Sequence, residues 1–221
     1  MHSKSILLNP SSQLNFIHPT WQGTQIKSVE QKSKNGEEVI VLFKRFLICI
    51  EDKRFYKHRG LDFRGILRAI LKNLKARKIV QGGSTLTQQL ARRLLKDNCK
   101  SIRRKLRESR LALQLEKNHN KAEILDLYLE KIYWGGNVFG IHDAALTYFK
   151  KTVSELSLSE IIQLIALLRG PNLYLKNQLL LTQRCELIQR TLKKSGQFSE
   201  LDHHNLYFNP IDTNAPNHKT I

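Results

Sequence analysis

An all-α domain is what this chain predicts, and three observations predict it. From residue 38 onward, apolar residues recur at spacings of three and four. Alternating strand patterns are scarce over the same stretch. An apolar fraction of 41% in 221 residues supplies one real core. The elements follow in order. Residues 1–37 are mixed and polar, with Pro10, Pro19, Gly23 and Gly36, and read as a poorly ordered segment with room for short hairpins. The domain proper is expected over 38–195. Val39, Leu42, Phe43, Phe46 and Leu47 mark a first amphipathic helix. Leu61 to Lys78 marks a second, with Ile66, Leu67, Ile70, Leu71 and Leu74 on one side. Thr85 with Gln88 fits a capping box opening a third, which runs to about Leu95.

Residues 101–117 read as a basic helix that turns Ile102, Leu106 and Leu113 toward the core. Lys121 to Tyr133 is a further helix, stopped by Gly135-Gly136, and Ile141 to Phe149 is a short one. Leu158 to Leu168 is apolar enough to be the central core helix, ended by Gly170-Pro171. Thr182 to Lys194 closes the domain. Residues 196–221 are a polar tail expected to fray from about His203. No period of 20–50 residues recurs, so a repeat architecture is not indicated.

The formal charge of +18, from 37 Lys+Arg against 19 Asp+Glu, favours an anionic partner. Cys49, Cys99 and Cys185 are few, odd in number and far apart, which signals neither a zinc site nor a disulfide framework. Ile6-Leu7-Leu8 is too short for the apolar core of a signal peptide. The run from Val39 to Ile50 is broken by Lys44 and Arg45 and is too short to span a bilayer. Membrane contact is therefore expected to be peripheral.

Three blocks carry candidate chemistry. Glu51 follows the apolar Leu47-Ile48-Cys49-Ile50 and precedes Asp52; a carboxylate so placed suits a general base. The plainer alternative is a pair of acids that cap a helix or pair with Lys53 and Arg54. His58 and Asp62 stand four apart, which points to a structural hydrogen bond more than to a metal. Gly82-Gly83-Ser84-Thr85 is a glycine turn running into a helix. It could cradle an anion on its N–H groups, or be an ordinary cap. Thr87, Gln88 and Gln89 add neutral hydrogen bonding. In the basic stretch 92–110, Arg104 and Lys105 stand four and three residues before Glu108 and can meet it. Such a cluster suits charge developing on a phosphate, although a charge run can equally be a solvated face.

Together the blocks resemble the peptidoglycan glycosyltransferases, found as monofunctional transglycosylases and as one domain of bifunctional penicillin-binding proteins. Glu51-Asp52-Lys-Arg-Phe55-Tyr-Lys-His58-Arg-Gly60-Leu-Asp62 matches the family's first motif. Gly82-Gly83-Ser84-Thr85-Leu-Thr87-Gln88-Gln89 matches its second, and Arg104-Lys105-Leu-Arg-Glu108 its third. Ile124-Leu125-Asp-Leu-Tyr128-Leu129, with Gly140-Ile141 to Tyr148-Phe149, matches a fourth. A fifth runs from Leu156 to Tyr174, and the similarity spans roughly residues 40–195. The resemblance implies a lysozyme-like helical fold and polymerisation of lipid II into glycan strands, with inversion and loss of polyprenyl pyrophosphate. It implies Glu51 as the base, and Glu108 with Arg104 and Lys105 at the leaving pyrophosphate, with Mg²⁺ or Mn²⁺ at Glu108. It places Asp52, Phe55, His58, Gly83, Ser84, Thr85, Gln88, Gln89 and Arg92 at the substrate. It further implies work at the outer face of the cytoplasmic membrane, with penicillin-binding transpeptidases as partners; the basic charge itself suits contact with anionic lipid.

Several positions depart from the family pattern. Arg92-Arg93 stands where Lys-Asn is usual, Glu130 where Asn follows Tyr-Leu, and Lys150 where Gly follows Phe. The family's N-terminal membrane helix is not visible. None of these removes a catalytic group, so activity is expected; the alternative of a catalytically weak or inactive relative with a scaffold role stays open. Two rivals explain less. A glycan-cleaving enzyme would use a Glu in a sugar groove but needs no pyrophosphate clamp. A nucleic-acid-binding module using residues 92–110 explains the charge but not Glu51, Glu108 or Gln88-Gln89, so no nucleic acid is expected.

Overall fold

A computed structural model of the chain describes residues 36–78, 82–95, 101–197 and 206–211. Among these residues the elements are nine α-helices, two 3₁₀ turns and one two-stranded hairpin, the all-α, lysozyme-like architecture expected. Cys99, the 1–35 segment and most of the tail lie outside the described residues.

The core forms around α7 (Leu158–Leu167). Every residue from Ile161 to Leu167 is buried, as its sequence demands. Ser157 and Glu160 close a capping box at its start. Helix α1 (Gly36–Glu51) buries the expected row Val39, Leu42, Phe43, Phe46 and Leu47 against this centre. Helices α3 (Leu86–Leu95), α5 (Lys121–Lys131), α6 (Ile141–Phe149) and α9 (Gln178–Lys194) add further core side chains. Helix α9 begins four residues earlier than its apolar period suggests, because Asn177 caps it through a bond from the Leu180 N–H.

Three elements escaped the sequence reading. Gly135-Gly136 does not stop the helix expected to reach Tyr133: α5 ends at Lys131, and the glycines lie in a hairpin, β1 (Tyr133–Gly135) and β2 (Val138–Phe139). The two loop residues Gly136 and Asn137 have φ of 54° and 68°, the conformation a type I′ turn needs. Gly170-Pro171 ends α7 but also opens α8 (Pro171–Lys176), since proline fits the first helical position. The segment 206–211 does not fray. Ile211 is buried in the core, and Gln163 Nε2 donates to the Asn209 carbonyl at 2.6 Å.

Two helices face the opposite way from a simple amphipathic reading. In α4 (Ile102–Asn118), Ile102, Leu106 and Leu113 are exposed, and Glu108, Ala112 and Leu115 are buried instead. Two residues of offset turn a helix by about 200°. The inward face is the one carrying Glu108 and the small Ala112, and α4 packs on α3. Helix α2 (Phe63–Ala76) buries only Gly65 and Ala69. Its apolar row Leu67, Ile70, Leu71 and Leu74 points outward, with Phe63 beside it.

Gly140 illustrates how tightly the frame is closed. It enters α6 at φ 79°, and a Cβ there would lie 2.8 Å from the Glu130 carbonyl oxygen. Gly140→Ala is expected to destabilise the fold by about 1–3 kcal/mol, read from a denaturant titration. An unchanged midpoint would show that this loop relaxes freely.

Candidate active site

Glu51 ends α1, so the helix delivers its carboxylate to the edge of the core. There it lines a cleft of about 250 Å³ together with Lys53, Asp62, Arg68, Lys72 and Ser84. Gln89 Nε2, on α3, donates to Glu51 Oε2 at 3.2 Å. The Tyr128 hydroxyl, on α5, donates to Gln89 Oε1 at 3.0 Å and so fixes which way that amide points. Burial, with the Glu51 charge beside it, pushes the Tyr128 phenol well above the usual tyrosine range. From α9, Arg184 Nη2 stands 3.8 Å from Glu51 Oε1. Arg54 does not pair with Glu51; its Nε bonds both oxygens of Asp62, at 3.1 and 3.2 Å. Burial raises the Asp62 pKa, but hydrogen bonds from Gly65 N–H and Arg54 outweigh it and hold the carboxyl below the usual range.

Five residues placed at the substrate by the resemblance are spent inside the protein. Asp52 borders the cleft, yet its carboxylate bonds His58 Nε2 at 3.0 and 3.1 Å and accepts the Leu86 N–H at 3.1 Å. His58 therefore pairs with Asp52 and not with Asp62. Phe55 is fully buried under Lys121, whose ammonium lies 4.3 Å from the ring centre. Thr85 and Gln88 form the reciprocal capping box expected of them, both bonds at 3.1 Å. Thr85 Oγ1 also donates to the Gly60 carbonyl at 2.6 Å, and Gln88 Nε2 to Ser109 Oγ at 3.1 Å. At the start of α3 the Leu86 and Thr85 N–H groups are thus taken by Asp52 and Gln88, leaving those two no capacity for an external anion. Asp52 and Thr85 also line the cleft.

Side chains beside this turn offer anion-binding capacity. Lys105 Nζ donates to Ser84 Oγ at 2.8 Å and to Glu108 Oε2 at 3.1 Å, so the second and third blocks meet. Arg104 lies 3.2 Å and Arg92 4.0 Å from Glu108 Oε1. Three cations therefore surround one carboxylate that is 2% exposed, leaving a net positive patch beside Ser84. Gly83 lets the turn lie against α2, since a Cβ there would stand 3.2 Å from Ile66 Cα.

A divalent ion held by protein alone does not fit this donor set. Both Glu108 oxygens face cations, and no group of three or more His, Cys, Asp or Glu that could hold a metal occurs among the described residues. No second carboxylate joins Glu108 in these contacts, where hard cations take several oxygen ligands.

Sequence reasoning missed Arg184. Its signal was available: a charged residue on the row Leu181, Cys185, Ile188 and Leu192 that α9 buries. The ion network behind α3 was also missed. Glu116 Oε1 accepts from Thr87 Oγ1 at 2.6 Å and from Lys121 Nζ at 2.7 Å. Arg93, a departure from the family pattern, stacks 4.0 Å over Phe139 and bonds the Lys131 carbonyl at 3.2 Å, tying α3 to the hairpin.

Comparison with known proteins places the chain in a family. A family model described as Transglycosylase matches residues 21–193. The chain is 40% identical over 170 residues to penicillin-binding protein 4 of Bacillus subtilis, covering 76% of this chain and 27% of that protein. It is 37% identical over 166 residues to a biosynthetic peptidoglycan transglycosylase of Alcanivorax borkumensis, covering 75% of this chain and 66% of that one. A second protein of that name, from Nitrosospira multiformis, is 34% identical over 176 residues, with 74% and 76% covered. The chain spans 20–27% of the length of the first three penicillin-binding proteins it matches.

Proposed function

Because the chain belongs to the transglycosylase family, we propose that it is a peptidoglycan glycosyltransferase joining lipid II into β-1,4-linked glycan strands. The observation that carries this reading is one cleft holding both Glu51 and Ser84, with Lys105 bonded to Ser84. A base and an anion clamp therefore face one reaction space. The acceptor's sugar hydroxyl attacks the anomeric carbon of the donor, and its proton passes to Glu51. The carbon–oxygen bond to pyrophosphate breaks, and its electron pair leaves with the polyprenyl pyrophosphate. Lys105, Arg104 and Arg92 balance the charge that develops there. Attack from the face opposite the leaving group inverts the anomeric centre. A divalent ion brought by the pyrophosphate would supply further charge neutralisation, and no step is assigned to it. The test is incubation of the purified protein with labelled lipid II. A polymer ladder that muramidase removes is expected; its absence across detergents and metals would overturn the reading.

The same reading has the protein work against the outer face of the cytoplasmic membrane. No helix among the described residues is long and apolar enough to cross a membrane. Helix α2 instead leaves Phe63 73% and Leu74 69% exposed, with Leu67, Ile70 and Leu71 between them. Arg64, Arg68, Lys72 and Lys75 are exposed on the same helix. An apolar row with basic flanks suits shallow insertion among anionic headgroups, each basic residue adding about 1 kcal/mol. Leu67→Asp with Leu71→Asp is expected to abolish cosedimentation with anionic vesicles. Undiminished binding, or binding indifferent to lipid charge and salt, would count against this face.

A further inference from the structure

Arg184 is out of character for its place. Helix α9 buries Leu181, Cys185, Ile188 and Leu192 at spacings of four, three and four. Arg184 sits within that row with its side chain only 13% exposed. Burial pulls its guanidinium below the usual arginine range, and Glu51 is the first of the groups opposing that shift. Its Nε is buried with no hydrogen-bond partner. A cation held at that cost needs a reason.

An ordinary ion pair fastening α9 to α1 would be one reason, but the geometry fits it poorly. At 3.8 Å the contact with Glu51 Oε1 is too long for a hydrogen bond. Gln89 already holds the other oxygen, and Tyr128 holds Gln89. The base is thus fixed through Oε2, while Oε1 feels a positive field without having its lone pairs occupied.

We propose that Arg184 is a positioning residue for the general base, holding Glu51 Oε1 in place by charge while leaving its lone pairs open to the acceptor's proton. This rests on the reading of Glu51 as the base. The other groups around that carboxylate come from every side. Asp52 follows it in the chain and is engaged by His58, Gln89 and Tyr128 approach from α3 and α5, and Lys53, Asp62, Arg68 and Lys72 line the cleft.

The test is the steady-state kinetics of lipid II polymerisation in Arg184→Met, a replacement suited to the apolar row of α9. Without the cation, Oε1 is free to turn away from the acceptor. The value of kcat should therefore fall on the order of 10²-fold, with KM little changed, and Arg184→Lys should restore most of it. Arg184→Gln serves as a second neutral replacement should the methionine variant fail to fold. An unchanged kcat in a folded neutral variant, or a loss that Arg184→Lys does not rescue, overturns the proposal. Glu51→Gln run in parallel separates the two failures. Full activity there removes the base itself, whereas an inactive Glu51→Gln beside an unchanged kcat in the Arg184 variants removes only the role of Arg184.

Discussion

Glu51→Gln is expected to abolish glycan polymerisation and leave the fold intact. Glutamine keeps the shape of glutamate and can still accept from Gln89 Nε2 through its amide oxygen, so the end of α1 keeps its anchor. It cannot take a proton from an attacking hydroxyl. General-base removal typically lowers a rate by about 10²- to 10⁴-fold, which would erase the ladder in a gel assay. Stability should fall modestly: Arg184, with a side chain only 13% exposed, loses its countercharge, but the contact is 3.8 Å long and Glu51 borders a cleft. Thermal melts should show a lower midpoint with a single cooperative transition. A fully active variant would end the assignment of Glu51, and a lost fold would show that the residue is structural first.

Glu108→Gln is expected to lower both stability and activity, and this contrast is its signature. Glu108 is 2% exposed, and Arg104, Lys105 and Arg92 all turn toward it. Arg104 has a side chain only 12% exposed, so losing the negative partner leaves a buried cation uncompensated. Breaking such a pair typically costs about 3–5 kcal/mol. Lys105 would also lose one of its two anchors and drift from Ser84. Misplacement of a charge-stabilising group by an ångström costs on the order of 10² in rate. A urea titration and the lipid II assay read the two effects separately. Arg92→Ala offers the control: at 4.0 Å and with a half-exposed side chain it should leave stability nearly unchanged. A Glu108→Gln variant as stable as its parent would mean that the three cations do not depend on this carboxylate.

The motifs of this chain are legible one by one because each is local. The capping box of Thr85 and Gln88 needs only a spacing of three, and it forms as read. The first core row on α1 needs only a helical period, and it too is buried as read. The type I′ turn at Gly136-Asn137 was also local, but two adjacent glycines read equally well as a helix stop.

What the chain alone determined is which residues bear charge, which helices form and in what order the blocks come. Tertiary structure decided which of those residues meet and which face each helix turns inward. Asp52 looked like a partner of the cleft until the first turn of α3 arrived to take its oxygens. Helix α4 carries two usable faces about 200° apart. Close packing on α3 selected the one with Ala112 and Glu108 and left Ile102 and Leu106 outside. Arg184 is 133 residues from Glu51 in sequence and 3.8 Å away in space. No period or motif encodes such a pairing, because burial and Coulomb energy depend on the distances that remain after the chain has packed.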